Sequence, residues 1–214
     1  MSARENILSR IRAANATQGA ARDAKFSAAR LAEHPRGPLP TMDWDPQKQF
    51  IDRSIAAAST IAQVGARQDV PAEVARYLSE NELPTQGVCW PEFADLDWDA
   101  AGLQMQARSA KGDDKVGITG SFCALAETGT IVLLSGEKEH ATTSLLPETH
   151  VAVVSRKRIV VSMEDVWDLV RTEVGKLPRQ VNFVSGPSRT ADIEMTLVYG
   201  AHGPFRVHII LTDE

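Results

Sequence analysis

The sequence predicts an α/β fold: a three-layer α/β/α sandwich with a mostly parallel sheet, preceded by an N-terminal helical arm. Two observations predict it. Short apolar runs recur as strand candidates at Gly87-Val88-Cys89-Trp90, Val116-Gly117-Ile118, Thr130–Leu134, Val151–Val154, Val181–Val184 and Val207–Leu211. Helical stretches lie between several of them, notably Glu164–Val174, with Ser162 or Met163 at its start. Apolar runs interleaved with helices fit a largely parallel sheet, whose faces must both be covered.

The elements follow in order. Arg4–Ala14 carries Ile7, Leu8 and Ile11 at helical spacing, which predicts a short amphipathic helix able to dock on a partner subunit or to fray as a tail. A segment rich in Ala, Arg and Pro runs from there through His34–Pro40 and reads as an exposed linker, because its prolines and glycine break helical continuity. Residues 1–45 are therefore expected to form a helix and flexible linker, and residues 46–214 the α/β domain. From Gln47 to Val64 the pattern predicts one helix with Phe50, Ile55, Ala58 and Ile61 or Ala62 on its apolar face, ended by Gly65. Pro71 suits the first turn of a second helix containing Val74, Ala75 and Leu78.

Composition narrows the function. The 214 residues are 43% hydrophobic and 24% charged with a formal net charge of -5, so the chain should fold and offers no basic stripe for nucleic acid. The one basic cluster, Arg156-Lys157-Arg158, reads as a solvated strand connection. No apolar stretch reaches the roughly 18 residues of a membrane span, and MSARENILSR lacks a signal-peptide core, so a cytoplasmic location is expected. Cys89 and Cys123 lack CxxC spacing and cannot supply the thiolates of an iron–sulfur cluster; any clusters belong to another subunit. His34, His140, His150, His202 and His208 show no helical ligand pair, and no metal site is expected. P-loop, GxGxxG and GxSxG motifs are missing, which removes the signatures of phosphoryl transfer, dinucleotide binding and serine hydrolysis.

Three segments carry candidate chemistry. In Val116–Leu134 a strand enters Thr119-Gly120, Ser121 can cap a short helix through Glu127, and Gly129 can take a positive φ into the next strand. Glu127 then lies at a helix C-terminus, where the dipole disfavours a carboxylate. It is either a solvated surface glutamate or a functional carboxylate for binding, acid–base work or nucleophilic attack. In Phe183–Glu194, Gly186-Pro187 leads from a strand into an expected helix whose N–H groups, with Ser185, Ser188, Thr190 and a bidentate Arg189, can hold an anion; ordinary capping by Ser188 and Thr190 is the plainer reading. In His140–Glu148 a polar loop offers His140 and Ser144 to a ligand.

Ala124–Leu133, Ser144–Val154 and Ser185–Glu194 with Gly200–Pro204 resemble, in order and spacing, the lactate utilization protein C family of LUD-domain proteins. The opening Ile7–Ile11 matches more weakly. The resemblance implies a fold similar to the sugar-phosphate isomerase and CoA-transferase superfamily. It also implies a place in bacterial L-lactate oxidation to pyruvate, beside iron–sulfur subunits A and B that carry the clusters, with none on this chain. Lactate or another small anion is the ligand it suggests. Glu127-Thr128-Gly129 is distantly similar to the glutamate region of CoA transferases, so acyl transfer or sugar-phosphate chemistry at Glu127 is the alternative; a purely structural assembly subunit is a third.

Overall fold

A computed structural model describes residues 2–17, 24–193 and 195–213. It divides into two units, Met1–Pro40 and Thr41–Glu214. In the first, α1 (Ala3–Thr17) begins with a reciprocal cap, since the Ser2 hydroxyl accepts from the Glu5 N–H and the Glu5 carboxylate from the Ser2 N–H. Ile7, Leu8 and Ile11 are exposed along it. The expected linker is partly helical: α2 spans Ala24–Glu33, because Ala-rich sequence without Gly or Pro favours helix, and among the described residues of the linker 34–40 lack regular structure.

The second unit opens with α3 (Pro46–Ala56), capped by Asp45 and begun by Pro46, burying Phe50 and Ser54. The expected helix to Val64 is corrected here. It stops at Ala56, and Thr60–Gln63 form strand β1. The stop is a Schellman closure: Ser59 N–H donates to Ser54 and Ala58 N–H to Ile55, with Ala58 at φ 68 where glycine is usual. α4 (Val70–Glu80) begins with Pro71 in its first turn, as expected, and buries Val74, Tyr77 and Leu78.

Strands β2 (Gln86–Cys89), β3 (Gln104–Ala107) and β4 (Val116–Thr119) follow. Then come β5 (Cys123–Leu125), β6 (Thr130–Leu134), the short α5 (Thr142–Leu145), β7 (Thr149–Ser155) and β8 (Ile159–Val160). α6 (Met163–Leu169), capped by Ser162 and Asp165, runs on as a π-turn to Val174, before β9 (Val181–Val184), β10 (Arg189–Ile193), β11 (Thr196–Tyr199) and β12 (Arg206–Thr212).

Six strands form a wholly parallel sheet in the order β1-β12-β7-β4-β2-β3. Side-chain alternation assigns its faces. His208 points to the face covered by α4, where its ring stacks on Tyr77 with centroids 3.9 Å apart. Gly117 and its register partner His150 point to the other, where the Thr143 carbonyl of α5 lies 2.2 Å from the place a Cβ at 117 would occupy. Helices thus flank the sheet on both faces.

β6 and β9 stand outside this sheet. With β5 and β8 they form a second sheet, β8-β5-β6-β9, in which β6 runs antiparallel to both neighbours. Ala124, Ile131 and Leu133 join the main core, whereas Cys123, Leu125 and Val132 pack with Val166 of α6.

Candidate functional site

Two local elements differ from expectation. Ser121–Glu127 is no helix: Cys123, Ala124 and Leu125 pair with Val132, Ile131 and Thr130 in the β5–β6 hairpin, because a two-turn helix cannot compete with strand pairing into a core. The helix-dipole argument for Glu127 goes with it. Glu127 sits half-buried in the hairpin turn, its N–H donating to the Val161 carbonyl at 3.2 Å. Likewise Pro187 opens no helix. Arg189–Ile193 is a strand paired with β11, so no helix N-terminus faces an anion there. Glu194 lies outside the described residues.

The two motifs nonetheless meet, at the C-terminal end of α3. Gly129, at φ +66, lies so close that a Cβ would stand 2.4 Å from Ser54 N, and the Ser54 hydroxyl donates to the Gly129 carbonyl at 3.2 Å. Gly186, at φ +79, leaves room for the Ala57 carbonyl, 2.1 Å from the site of its missing Cβ. Arg189 Nη2 donates to that same Ala57 carbonyl at 3.1 Å, a cationic cap on a helix end. Thr128, Thr130 and Ser185 form a hydroxyl chain with successive oxygens 2.6 Å apart. Ser188, expected to cap a helix, instead accepts the His202 N–H at 3.2 Å, while its carbonyl accepts from Gly200, joining Ser185–Ile193 to Gly200–Pro204. Thr190 follows on β10, in register with Val198.

His140 and Ser144 are elsewhere, beyond the far end of β6, about 17 Å along a five-residue strand. The His140 carbonyl accepts the Trp90 indole N–H at 3.1 Å, and Ser144 is buried with its hydroxyl on the Ala141 carbonyl. A cavity of about 800 Å³ lies here, lined by Ser109, Ser135, Glu137, Glu139, His140 and Arg179 among others. Trp90 follows β2 and Ser109 follows β3, so it borders the C-terminal edge of the parallel strands, where open α/β sheets bind ligands. A second cavity, of about 270 Å³, lies at the opposite edge, where β1 and β12 begin, between Ala58, Tyr77, Pro187 and Arg206. Glu127 and Arg189 line neither.

Glu92, beside the larger cavity, gave no sequence signal. Its carboxylate fills the space of a Cβ at Gly120, 2.0 Å from Oε1. Loss of solvent, reinforced by Glu139, pushes this carboxyl above its usual range, against Arg67 and the Gly120 N–H. Gly120 therefore serves the carboxylate through its missing side chain, which a reading of turns does not reveal.

The two thiols and two of the histidines lie in the core. Burial pushes the Cys89 thiol up to about 11 and Cys123 up to about 12, so neither supplies a thiolate near neutrality. Burial likewise holds His150 and His208 down to about 4, and both are neutral. Among the described residues no group of three or more His, Cys, Asp or Glu is placed to hold a metal ion, and no helix is long and apolar enough to cross a membrane.

Fold and site define a class: an α/β protein whose parallel sheet carries a cavity at its strand C-terminal edge and a glycine-seated motif junction at the opposite side. The chain belongs to the LUD-domain family, whose model matches residues 50–212. It is similar to "Lactate utilization protein C" of Geobacillus sp. (strain WCH70), 40% identical over 130 residues, covering 58% of this chain and 54% of that protein. The protein of the same name from Bacillus subtilis (strain 168) is 39% identical over the same length. The chain thus spans about half the length of the curated relatives it matches. A crystal structure of a DUF162 family protein from Deinococcus radiodurans shares the fold, with a TM-score of 0.57 and 22% identity, covering 81% of this chain and 99% of that one.

Proposed function

We propose that this protein is the non-iron–sulfur component of a bacterial L-lactate-oxidising system, acting in the cytoplasm beside iron–sulfur subunits A and B and binding a small monoanion. The observation that carries the reading is the 40% identity to a lactate utilization protein C over 130 residues. In this reading the anion sits in the larger cavity, on Arg179 and His140, with the hydroxyls of Ser109 and Ser135 within its walls. Glu137 and Glu139 on the same rim repel a second negative charge, which favours a monocarboxylate over a phosphate ester. The junction of Glu127, Thr128 and Gly129 with Ser185, Gly186 and Arg189 holds the framework around α3 in this reading.

The test is affinity purification of the protein from lactate-grown cells, followed by lactate-dependent dye reduction with and without it. Iron–sulfur proteins should co-purify, and dye reduction should fall when the protein is omitted. The double variant Arg179→Gln, His140→Ala should restore assembly but not activity. Unchanged activity in its absence would defeat the proposal; full rescue by the double variant would leave an assembly role and remove the anion site.

A further inference from the structure

The smaller cavity lies beside the Ser185–Glu194 motif, which contributes Pro187 to its wall, and the proposed lactate role assigns it nothing. Its walls are Ala58, Tyr77, Pro187, Tyr199 and Phe205, with Arg206 as the one cation in the lining. Arg206 is half-buried, its guanidinium 4.8 Å from the centroid of the Phe205 ring, and no described residue gives it a carboxylate. A partly desolvated guanidinium without a counterion calls for an anion from outside. Arg206 is the one such charge in the lining, which suits a singly charged anion.

Two of the polar groups nearby are already engaged. Thr60 Oγ1 meets His208 Nδ1 at 2.8 Å, and Asn81 Nδ2 donates to the Tyr77 carbonyl at 2.8 Å. With Ala58, Pro187, Phe205 and Val207 in its walls, the lining suits an apolar ring better than a hydroxyl-rich sugar. Tyr199 and Phe205 meet edge-on, 6.0 Å between centroids, and offer aromatic surface to a flat guest. At about 270 Å³ the space lies just below the usual range for drug-sized ligands, which limits the guest to a small one.

We propose that this cavity binds a small aromatic monocarboxylate, its carboxylate on Arg206 and its ring among Pro187, Tyr199 and Phe205. The corner that shapes it is held in a strained conformation: Ala58 stands at φ 68, beside an Ala57 carbonyl fixed by Arg189 and packed against Gly186. The motif residues Gly186 and Arg189 thus act as positioning residues for this wall.

Benzoate is the probe, titrated against the full chain by calorimetry and saturation-transfer NMR, with benzyl alcohol and acetate as controls. Benzoate should bind at least ten-fold more tightly than either. Arg206→Gln should weaken it at least ten-fold, and Phe205→Ala, at an exposed ring, should also weaken it with the fold intact by circular dichroism. His140→Ala in the other cavity should leave benzoate affinity unchanged, which keeps this site separate from the proposed lactate role. Undetectable benzoate binding, equal affinity for benzyl alcohol, retention of affinity in both Arg206→Gln and Phe205→Ala, or displacement of benzoate by equimolar L-lactate would overturn the proposal.

Discussion

At the scale of single residues, the strongest constraints are glycines set against another segment's backbone. At Gly129 a Cβ would meet Ser54 N at 2.4 Å and the Arg53 carbonyl carbon at 2.6 Å, and neither can swing aside as a flexible side chain can. The positive φ alone costs a non-glycine residue about 1–2 kcal/mol, and the clash adds to it. Gly102 provides the comparison, with φ +73 and nothing within 4 Å of its would-be Cβ. Gly129→Ala should therefore cost at least about 3 kcal/mol and Gly102→Ala only about 1 kcal/mol in urea unfolding. Equal losses would mean that backbone conformation, not packing on α3, fixes Gly129. The positive φ at Gly129 was legible in the sequence; the neighbour that makes it irreplaceable was not, because contact between residues 53 and 129 is a product of the fold.

Among elements, strands were easier to read than helices. Thr130–Leu134 and Val181–Val184 have the ends their apolar runs indicate, since β-branched residues bounded by polar or glycine positions leave little freedom. Their membership of a second, mixed sheet was hidden, because pairing partners are not encoded locally. The helix errors share one cause: caps and short strands inside alanine- and hydroxyl-rich stretches carry no distinctive local signal. α3 ends on Ala58 where a glycine would have announced the stop, and β5 and β10 gain their stability from pairing across the chain. The sequence carries the two motifs that meet, but Glu127 and Arg189 line neither cavity, and His140 and Ser144 separate from the motifs by the length of β6. Ala58 supplies the element-scale prediction. Replacing it with glycine relieves the left-handed strain at φ 68, partly offset by the added freedom of the unfolded chain. Ala58→Gly should raise stability by about 0.5–1 kcal/mol, or roughly 2 °C in melting temperature. A fall in melting temperature would show that the Ala58 methyl contributes more to the cavity wall than its conformation costs.

For the whole molecule, stability should depend on pH through two histidines on opposite faces of the parallel sheet. His150 is fully buried on β7 with Nε2 on the Thr119 hydroxyl at 2.8 Å; His208 is buried on β12 between Thr60, Tyr77 and the Glu73 carboxylate at 3.3 Å. Desolvation holds both down to about 4, against 6.5 for the free side chain; for His208 this prevails over Glu73 and Glu80, which favour its charge, while Arg76 opposes it. Because both are depressed, the unfolded chain takes up protons first as pH falls. Their contribution is complete above pH 6.5 and is lost between there and about pH 4. Each group changes stability by up to about 1.4 kcal/mol per pH unit in that window, so the loss from pH 7 to 5 is on the order of 3 kcal/mol. Glu73, held low by its hydrogen bond to Arg76 in spite of partial burial, adds a further loss as pH falls below its ordinary value, at the acid end of this window, while Glu92, held high by loss of solvent, offsets part of the histidine loss. Urea midpoints at pH 7 and pH 5 measure the difference directly, and His150→Gln should remove about half of it. An unchanged pH dependence in His150→Gln would mean that this histidine titrates normally, and that the sheet interior admits water the packing does not show.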